Sequence, residues 1–301
     1  MDRQKIINYN FLAAPRTDVA MDIQTKVELR RLLLGIYEYY GYDFRDYALG
    51  TLKRRIGERM HKEQVDSLSG LLEKVLADPA CLYRLVDDLL ITVSTMFRDP
   101  HFFLALRKKV VRLLQEYAFV RIWHAGCGKG EEVYSMAILL HEEGLYDRCR
   151  LYATDLNEMA LQQAQRAIYP LKQMPTYTRN YFAAGGDGSF CDYYTAKYGN
   201  IIFRPWLKKN IIFSKHNLTA DRPFNEFHII LCRNVMIYFN HSLQARVHNL
   251  FYDSLSDSGF LALGQRESIR FTPHESCYEV VDDREKIYRK VPILTDSVAR
   301  N

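Results

Sequence analysis

The stretch His124–Ser135 reads HAGCGKGEEVYS, and its three glycines at alternate positions, Gly126, Gly128 and Gly130, decide the fold class. A short apolar run, FVRIWH at 119–124, precedes the glycines, and a helix-like pattern follows them. Glycines between a strand and a helix let the backbone approach a bound nucleotide closely, although a purely structural turn is the alternative. The stretch therefore predicts a nucleotide-like ligand at a strand-to-helix turn.

Two adjacent carboxylates, Glu131 and Glu132, follow the turn and narrow the class of ligand. The dinucleotide pattern GxGxxG would need a glycine at position 131, and acids in the first helical turn would repel a pyrophosphate. S-adenosylmethionine carries no phosphate, but it carries a sulfonium and an ammonium group. We therefore expect the turn to bind S-adenosylmethionine rather than NAD or ATP, with Gly126, Gly128 and Glu131 among the contacts.

An acidic residue, Asp155, supports the same ligand because it ends the next β-rich run, RLYATD at 150–155. It lies roughly 25 residues past the last glycine, close to the spacing at which an acid binds ribose hydroxyls in dinucleotide folds. The alternative is a carboxylate that only interacts with the dipole of the following helix, a role that Asn157 could also fill as the helix cap. We interpret Asp155 as the ribose ligand.

Beyond residue 119 the chain alternates β-rich and helical patterns, which predicts an α/β fold with a largely parallel sheet. The β-rich runs lie at 119–124, 150–155, 210–217, 227–234, 260–264 and 286–291, and the helical ones at 132–143, 157–168 and about 242–255. Ligands on such sheets bind at the carboxyl ends of the strands. The glycine turn, Asp155, Asn217 and Arg233–Asn234 should therefore converge.

Three further segments complete the predicted organisation. Apolar residues spaced by three or four predict a small domain of about four helices at 21–90, with turns at GYDF (41–44) and ADP (77–79). The segment at about 170–212 is rich in tyrosine, phenylalanine and glycine, and predicts an inserted antiparallel β subdomain. The remaining predicted boundaries are an N-terminal extension at 1–20, a linker at 91–99 that contributes to the cofactor site, the larger domain at 100–292 and a C-terminal tail at 293–301.

Composition excludes several classes of protein. No apolar run is long enough for a membrane span, and the N-terminus lacks the apolar core of a signal peptide, so we expect a cytoplasmic protein without membrane insertion. The net charge of +5 does not by itself indicate nucleic-acid binding. The 6 cysteines form no CxxC pair, which argues against disulfides and against a metal site.

Several motifs resemble, in order and spacing, the chemotaxis receptor glutamate methyltransferases of the CheR type. They are STMFRDPHFF (94–103), WHAGCGKGEEVYSMAILL (123–140), LYATDLN (151–157), HNL (216–218) and ILCRNVMIYF (230–239), while GYDFRDYALGTLKRRIGERM (41–60) resembles the helical domain of that family. The resemblance covers about 22–291. It implies a helical domain followed by a Rossmann-like class I S-adenosylmethionine-dependent methyltransferase domain that forms γ-glutamyl methyl esters on receptors.

The resemblance also implies the roles of individual residues. Cofactor contacts would fall on Thr92, Ser94, Arg98, Glu131, Asp155, Asn217, Leu218, Arg233 and Asn234. Arg98 and Tyr238 would lie nearest the methyl group and the substrate carboxylate. Lys129 departs from the family pattern and places a charge beside the ligand.

The implied reaction needs no general base, because a glutamate is ionised at pH 7. We therefore interpret Arg98 and Tyr238 as catalytic residues that orient the carboxylate. Arg55 and Arg59, on a helix at 51–62, would bind the acidic methylation region of the cytoplasmic receptor domain. In some family members the inserted subdomain also docks a peptide from the receptor C-terminus, which makes such a peptide a candidate partner.

Two other functions are alternatives for a chain with these residues. The first is a non-catalytic protein that binds S-adenosylmethionine and acts as a regulator or scaffold of a signalling array; the retained Arg98, Asn234 and Tyr238 favour the enzyme instead. The second is a nucleic-acid methyltransferase, which should carry a motif such as NPPY and a stronger basic bias. CRNVMIYF at 232–239 offers no such motif. We therefore expect no nucleic-acid partner.

Overall fold

The computed structural model describes residues 22–90 and 94–291. Within that part of the chain, the helices are α1 (Ile23–Tyr40), α2 (Leu49–Glu63), α3 (Leu68–Ala77), α4 (Pro79–Leu89), α5 (Pro100–Leu106), α6 (Glu131–Glu142), α7 (Glu158–Arg166), α8 (Met174–Ala183) and α9 (His241–Ser254). The strands are β1 (Val120–Ala125), β2 (Cys149–Asp155), β3 (Ile168–Pro170), β4 (Tyr194–Lys197), β5 (Asn200–Phe203), β6 (Ile211–Lys215), β7 (Phe227–Cys232), β8 (Leu255–Leu263), β9 (Tyr278–Asp282) and β10 (Ile287–Lys290). The predicted N-terminal extension, the C-terminal tail and Thr92 lie outside the described residues.

Helices α1 to α4 form the N-terminal helical region that the apolar spacing predicts. The side chain of Asp22 caps α1 by accepting from the Thr25 N–H at 2.8 Å, and Gly41 ends that helix in a left-handed conformation at φ 76°. Asp78 caps α4 by accepting from the Ala80 N–H at 2.9 Å. The turn and capping roles that the sequence assigns to 41–44 and 77–79 are thus confirmed.

A seven-stranded sheet forms the centre of the larger region, in the order β6-β2-β1-β7-β8-β10-β9. In this spatial order, the neighbouring strands β6, β2, β1, β7 and β8 are all parallel to one another. Strand β10 is antiparallel to both of its neighbours, β8 and β9. The carboxyl ends of β1, β2, β6 and β7 therefore meet at one edge of the sheet. This is the α/β arrangement that the alternating pattern predicts.

The inserted subdomain is partly different from the prediction. A separate antiparallel sheet with the order β3-β5-β4 is present. In the chain, however, helix α8 lies between β3 and β4, and β6 belongs to the main sheet. The predicted antiparallel sheet is therefore confirmed, and the same segment also contains a helix, α8, that the prediction did not include. Proline at position 175, at the start of α8, favours a helix start there, which the aromatic-rich composition obscured.

Candidate active site

A cleft lies at the carboxyl ends of the parallel strands, with α4 and the segment before α2 on its other side. It brings together most of the residues that the sequence predicts for cofactor and substrate. These are Ser94, Arg98, Gly126, Gly128, Asp155, Asn217, Leu218, Arg233, Asn234 and Tyr238. The convergence predicted from the strand ends is thus present in the structure.

The glycine turn is shaped so that a side chain would fill it. Gly126 and Gly128 have φ angles of 80° and 54°, in the left-handed region that favours glycine. A Cβ atom on Gly126 would lie 2.5 Å from Cγ2 of Val235. The turn is held by N–H groups of Gly126 and Cys127, both of which donate to the carbonyl of Thr154 at the end of β2. Glycine is therefore required at position 126 because Val235 packs directly against its backbone.

Asp155 lies at the end of β2 and lines the cleft beside the glycine turn. One carboxylate oxygen accepts from the Gly128 N–H at 2.7 Å and the other from the Asn157 N–H at 2.8 Å. Burial raises the pKa of Asp155, and the two N–H groups oppose that increase. Asn157 caps α7 through the Ala160 N–H, so the capping alternative belongs to Asn157 and leaves Asp155 facing the cleft.

Of the two carboxylates after the turn, the structure places Glu132, and not Glu131, on the wall of the cleft. Glu132 lines the cleft, whereas Glu131 is 4% exposed and does not line it, so the prediction that Glu131 contacts the cofactor is not supported by its position. Successive residues of an α-helix point about 100° apart, which explains why only one of them faces the ligand. Burial raises the pKa of Glu131 to about 6.

Lys129 also lies elsewhere than expected. It does not line the cofactor cleft but a second cavity between α4 and α7, together with Arg84, Met159 and Gln163. Lys129 therefore lines a different cavity from the one that holds most of the predicted cofactor residues.

Arg233 is a buried clamp rather than an exposed cation. Its side chain is 2% exposed and forms ion pairs with Asp99 at 2.8 Å and with Glu132 at 3.1 Å. The guanidinium also packs over the ring of Phe102, 3.9 Å from its centroid. Although burial alone would raise the pKa of Glu132, His124 and Arg233 hold it below its ordinary value. Arg233 therefore ties the helix after the glycine turn to the segment that carries Arg98.

The segment around Arg98 has an unusual backbone. Phe97 and Asp99 both have positive φ angles, 50° and 55°. The Phe97 N–H donates to Oγ of Ser135 on α6 at 2.8 Å, and Arg233 donates to the Arg98 carbonyl at 3.4 Å. A left-handed conformation at non-glycine residues persists only where the surroundings enforce it. The structure therefore fixes Arg98 at the edge of the cleft.

Tyr238 follows β7 in a turn that docks on the helical region. Its carbonyl accepts from the Ala48 N–H at 2.8 Å, and the ring of Tyr47 packs against Phe239 with centroids 5.0 Å apart. Burial raises the pKa of the Tyr238 phenol, while the positive charges of Arg55 and Arg98 oppose that increase. Tyr238 and Arg98 both line the cleft.

The two arginines predicted for substrate binding have different surroundings. Arg55 is half-buried and donates to the carbonyl of Asp88 on α4. Arg59 is 8% exposed and pairs with Asp88 at 2.6 Å and Glu63 at 3.3 Å. The predicted receptor contact of Arg59 does not fit this burial, because Asp88, 29 residues later on α4, pairs with its guanidinium. The exposed cations of α2 include Lys53 and Arg54.

Among the residues of the cleft wall that the sequence did not predict are one tyrosine and one histidine. Tyr47, from the helical region, and His216, before Asn217, both line the cleft. His216 is 8% exposed, and its ring packs edge-to-face on Trp123 with centroids 5.2 Å apart. Both stand in motifs that carried the resemblance, GYDFRDY and HNL, so the signal was present but unassigned.

Comparison with known proteins agrees with this geometry. Residues 92–286 match the CheR methyltransferase, SAM binding domain, and residues 27–90 match the CheR methyltransferase, all-alpha domain. The chain belongs to the CheR methyltransferase family. It is an S-adenosylmethionine-dependent methyltransferase, and S-adenosylmethionine is its cofactor.

Several curated relatives are similar over most of their length. A Pseudomonas putida protein named as a methyltransferase, Cher3, is 46% identical over 266 residues, which span 88% of this chain and 97% of that protein. A chemotaxis protein methyltransferase of Borreliella burgdorferi is 29% identical over 82% of this chain and 89% of its own length. One of Salmonella typhimurium is 27% identical over 85% and 91%, respectively. These relatives favour the enzyme over the cofactor-binding scaffold.

Two negative findings apply to residues 22–90 and 94–291. No helix in these ranges is long and apolar enough to cross a membrane. The same ranges contain no group of three or more His, Cys, Asp or Glu side chains that could hold a metal ion.

Proposed function

We propose that this CheR methyltransferase transfers methyl groups to glutamate side chains of chemoreceptors and forms γ-glutamyl methyl esters. The observation that carries the proposal is that Arg98 and Tyr238 both line the cofactor cleft. A guanidinium group and a hydroxyl are suited to hold a carboxylate. The relatives named as chemotaxis protein methyltransferases support a receptor as the source of that carboxylate.

The residues present fit S-adenosylmethionine. Gly126 and Gly128 line the cleft, and the partly buried Asp155 carboxylate beside them suits ribose hydroxyls. Leu90, Leu218 and Tyr47 supply apolar wall on the other side. When bound, S-adenosylmethionine supplies the activated methyl group that the carboxylate accepts.

Positioning is the main task of the protein in this reaction. A glutamate with an ordinary pKa near 4.3 is ionised at pH 7, so no side chain has to remove a proton. Arg98 and Tyr238 would hold one carboxylate oxygen and thereby direct the other toward the methyl group. The fixed backbone around Arg98 favours such a role, since a group that must orient a substrate cannot itself be mobile.

Helix α2 would guide the receptor to the cleft. Its exposed cations, Lys53 and Arg54, lie on the same helix as Arg55, and the methylated region of the partner would be acidic because its substrate residues are glutamates. Complementary charge raises the rate of encounter between two proteins. Arg59, in contrast, would position α2 against α4 and would not meet the receptor.

The experiment is transfer from methyl-labelled S-adenosylmethionine to the cytoplasmic fragment of a chemoreceptor, scored as label released as methanol in base. A matched fragment with glutamine in place of the candidate glutamates serves as the control. We expect base-labile label on the first fragment and none on the second. Label that resists base, or that is equal on both fragments, would contradict ester formation on glutamate.

We also propose that the small sheet binds an extended receptor peptide. Among the described residues, β4 is hydrogen-bonded to β5 on one side and to no other strand, so its outer edge can accept an added strand. Titration of a labelled C-terminal receptor peptide, followed by fluorescence anisotropy, tests this. A scrambled peptide should not bind, and equal binding of both would contradict strand addition.

A further inference from the structure

A single buried carboxylate holds the turn that follows β7. Glu267 is 6% exposed, and its two oxygens accept four backbone hydrogen bonds. Oε2 accepts from the N–H groups of Gly264 at 2.6 Å and Asn234 at 2.9 Å. Oε1 accepts from Val235 at 2.9 Å and Met236 at 2.8 Å. The carboxylate thus joins the ends of the adjacent parallel strands β7 and β8.

The turn needs such an acceptor because its backbone N–H groups donate to Glu267 and not to another part of the backbone. Asn234 has a φ of 62°, in the left-handed region, and lines the cofactor cleft. Three successive N–H groups, from Asn234 to Met236, point at the carboxylate rather than at a strand or helix partner. Without an acceptor, these buried N–H groups would be unsatisfied, which would destabilise this conformation of the turn.

The junction is also tightly packed around the carboxylate. A Cβ atom on Gly264 would lie 2.7 Å from Oε2 of Glu267 and 2.8 Å from the backbone nitrogen of Asn234. The same turn continues to Tyr238, and the negative charge of Glu267 contributes to the raised pKa of the Tyr238 phenol. A change in the Glu267 carboxylate would therefore move residues on both the cofactor and the substrate side.

We propose that Glu267 is a positioning residue for methyl transfer, which sets Asn234 and Tyr238 in the cleft by anchoring the backbone between them. The inference rests on the proposed function only for its catalytic readout, since its effect on cofactor binding is independent of the substrate. An ionised carboxylate offers acceptors alone, whereas a glutamine would turn an amide N–H₂ group toward two N–H donors. The role therefore requires Glu and not merely a polar side chain of its size.

The test compares Glu267→Gln with Glu285→Gln in the full chain. Glu285 is 4% exposed and lies in the hairpin between β9 and β10, so it controls for the loss of a buried carboxylate. Calorimetry measures the affinity for S-adenosylhomocysteine, and steady-state assays measure kcat and the KM for the receptor fragment. For Glu267→Gln we expect about tenfold weaker cofactor binding and about tenfold lower kcat, with an unchanged receptor KM. For Glu285→Gln we expect wild-type values of all three.

A second pair of variants keeps the inference testable if Glu267→Gln does not fold. Gly264→Ala disturbs the same junction with the carboxylate retained, and Gly259→Ala places a similarly crowded methyl group in the middle of β8, away from the junction. Gly264→Ala should weaken cofactor binding, and Gly259→Ala should affect thermal stability alone.

Wild-type cofactor affinity in Glu267→Gln would overturn the proposal. If Glu267→Gln does not fold, wild-type cofactor affinity in Gly264→Ala would overturn it. Absence of transfer by the wild-type enzyme would count against the proposed function instead, because the calorimetry remains decisive for Glu267.

Discussion

The cofactor cleft and helix α2 both concentrate charged side chains, but they hold them differently. Glu132 and Arg233 line the cleft and Glu267 supports the turn behind it; all three are largely buried, and opposite charges or backbone N–H groups satisfy them. On α2, Lys53 and Arg54 are exposed to solvent. The first arrangement fixes geometry, and the second creates a field that dissolved salt can screen.

The difference shows how a charge contributes to this protein. A buried charge that loses its partner is strongly destabilising, whereas an exposed one contributes little to stability and mainly affects the rate of encounter. Helix α2 contains both kinds, because Arg59 is enclosed by Glu63 and Asp88. Substitutions in the two regions should therefore separate stability from substrate encounter.

The largest effect is expected for Arg233→Ala. Removal of the guanidinium leaves Asp99 and Glu132 without their buried partner, which should cost about 3–5 kcal/mol of unfolding free energy. Denaturant unfolding measures this. The control is Arg45→Ala, whose ion pair with Asp43 is partly exposed and should cost no more than about 1 kcal/mol. If the two variants lose the same unfolding free energy, the buried ion pairs of Arg233 stabilise the protein no more than an exposed pair does.

Arg59→Ala should show that α2 also contains a buried structural charge. We expect a loss of about 3 kcal/mol, because Glu63 and Asp88 would lose a buried partner. Arg54→Ala, which breaks an exposed pair with Glu58 on the same helix, should cost about 0.5 kcal/mol or less. Thermal unfolding of both variants distinguishes the two faces of α2. A stable Arg59→Ala variant that methylates receptor slowly would restore the direct receptor contact.

Tyr238→Phe should lower kcat about tenfold and leave the fold intact. The change removes one hydrogen bond to the substrate carboxylate, a charge-assisted bond whose loss corresponds to roughly that factor. Unfolding free energy and affinity for S-adenosylhomocysteine should stay at wild-type values. Wild-type kcat in this variant would show that the phenol does not orient the substrate.

The smallest effect belongs to the exposed charges of α2. Lys53→Glu combined with Arg54→Glu should lower kcat/KM for the receptor about threefold at low salt, because the encounter is no longer steered. The difference from wild type should shrink as ionic strength rises. Cofactor affinity is the internal control and should not change. A deficit that persists at high salt would point to a specific contact rather than to steering.

Most of the cleft was predictable because its residues stand at the ends of predicted strands. Gly126, Asp155, Asn217 and Arg233 each follow a β-rich run, and parallel strands bring such positions to one edge of a sheet. The motif order then selected the family and added Arg98 and Tyr238. The helical region was predictable for a similar reason, since its apolar residues follow a single helical period.

The misplaced residues depend on partners that are distant in sequence or on small rotations. Whether Glu131 or Glu132 faces the ligand is decided by where α6 begins, and a shift of one residue reverses the answer. Arg59 appears exposed on a helical wheel, but Asp88 on α4 encloses it. Glu267 had no local pattern at all, because its donors come from a turn 31 to 33 residues earlier.

The central claim is that Arg98 and Tyr238, which both line the cleft, direct a receptor glutamate to the methyl group. Single-turnover transfer to a receptor fragment, with label scored as base-released methanol, tests it most directly when Arg98→Ala and wild type are compared at saturating cofactor. We predict about a hundredfold lower rate for Arg98→Ala, as expected for loss of an orienting group. An unchanged rate of base-labile transfer in a folded Arg98→Ala variant would contradict the account.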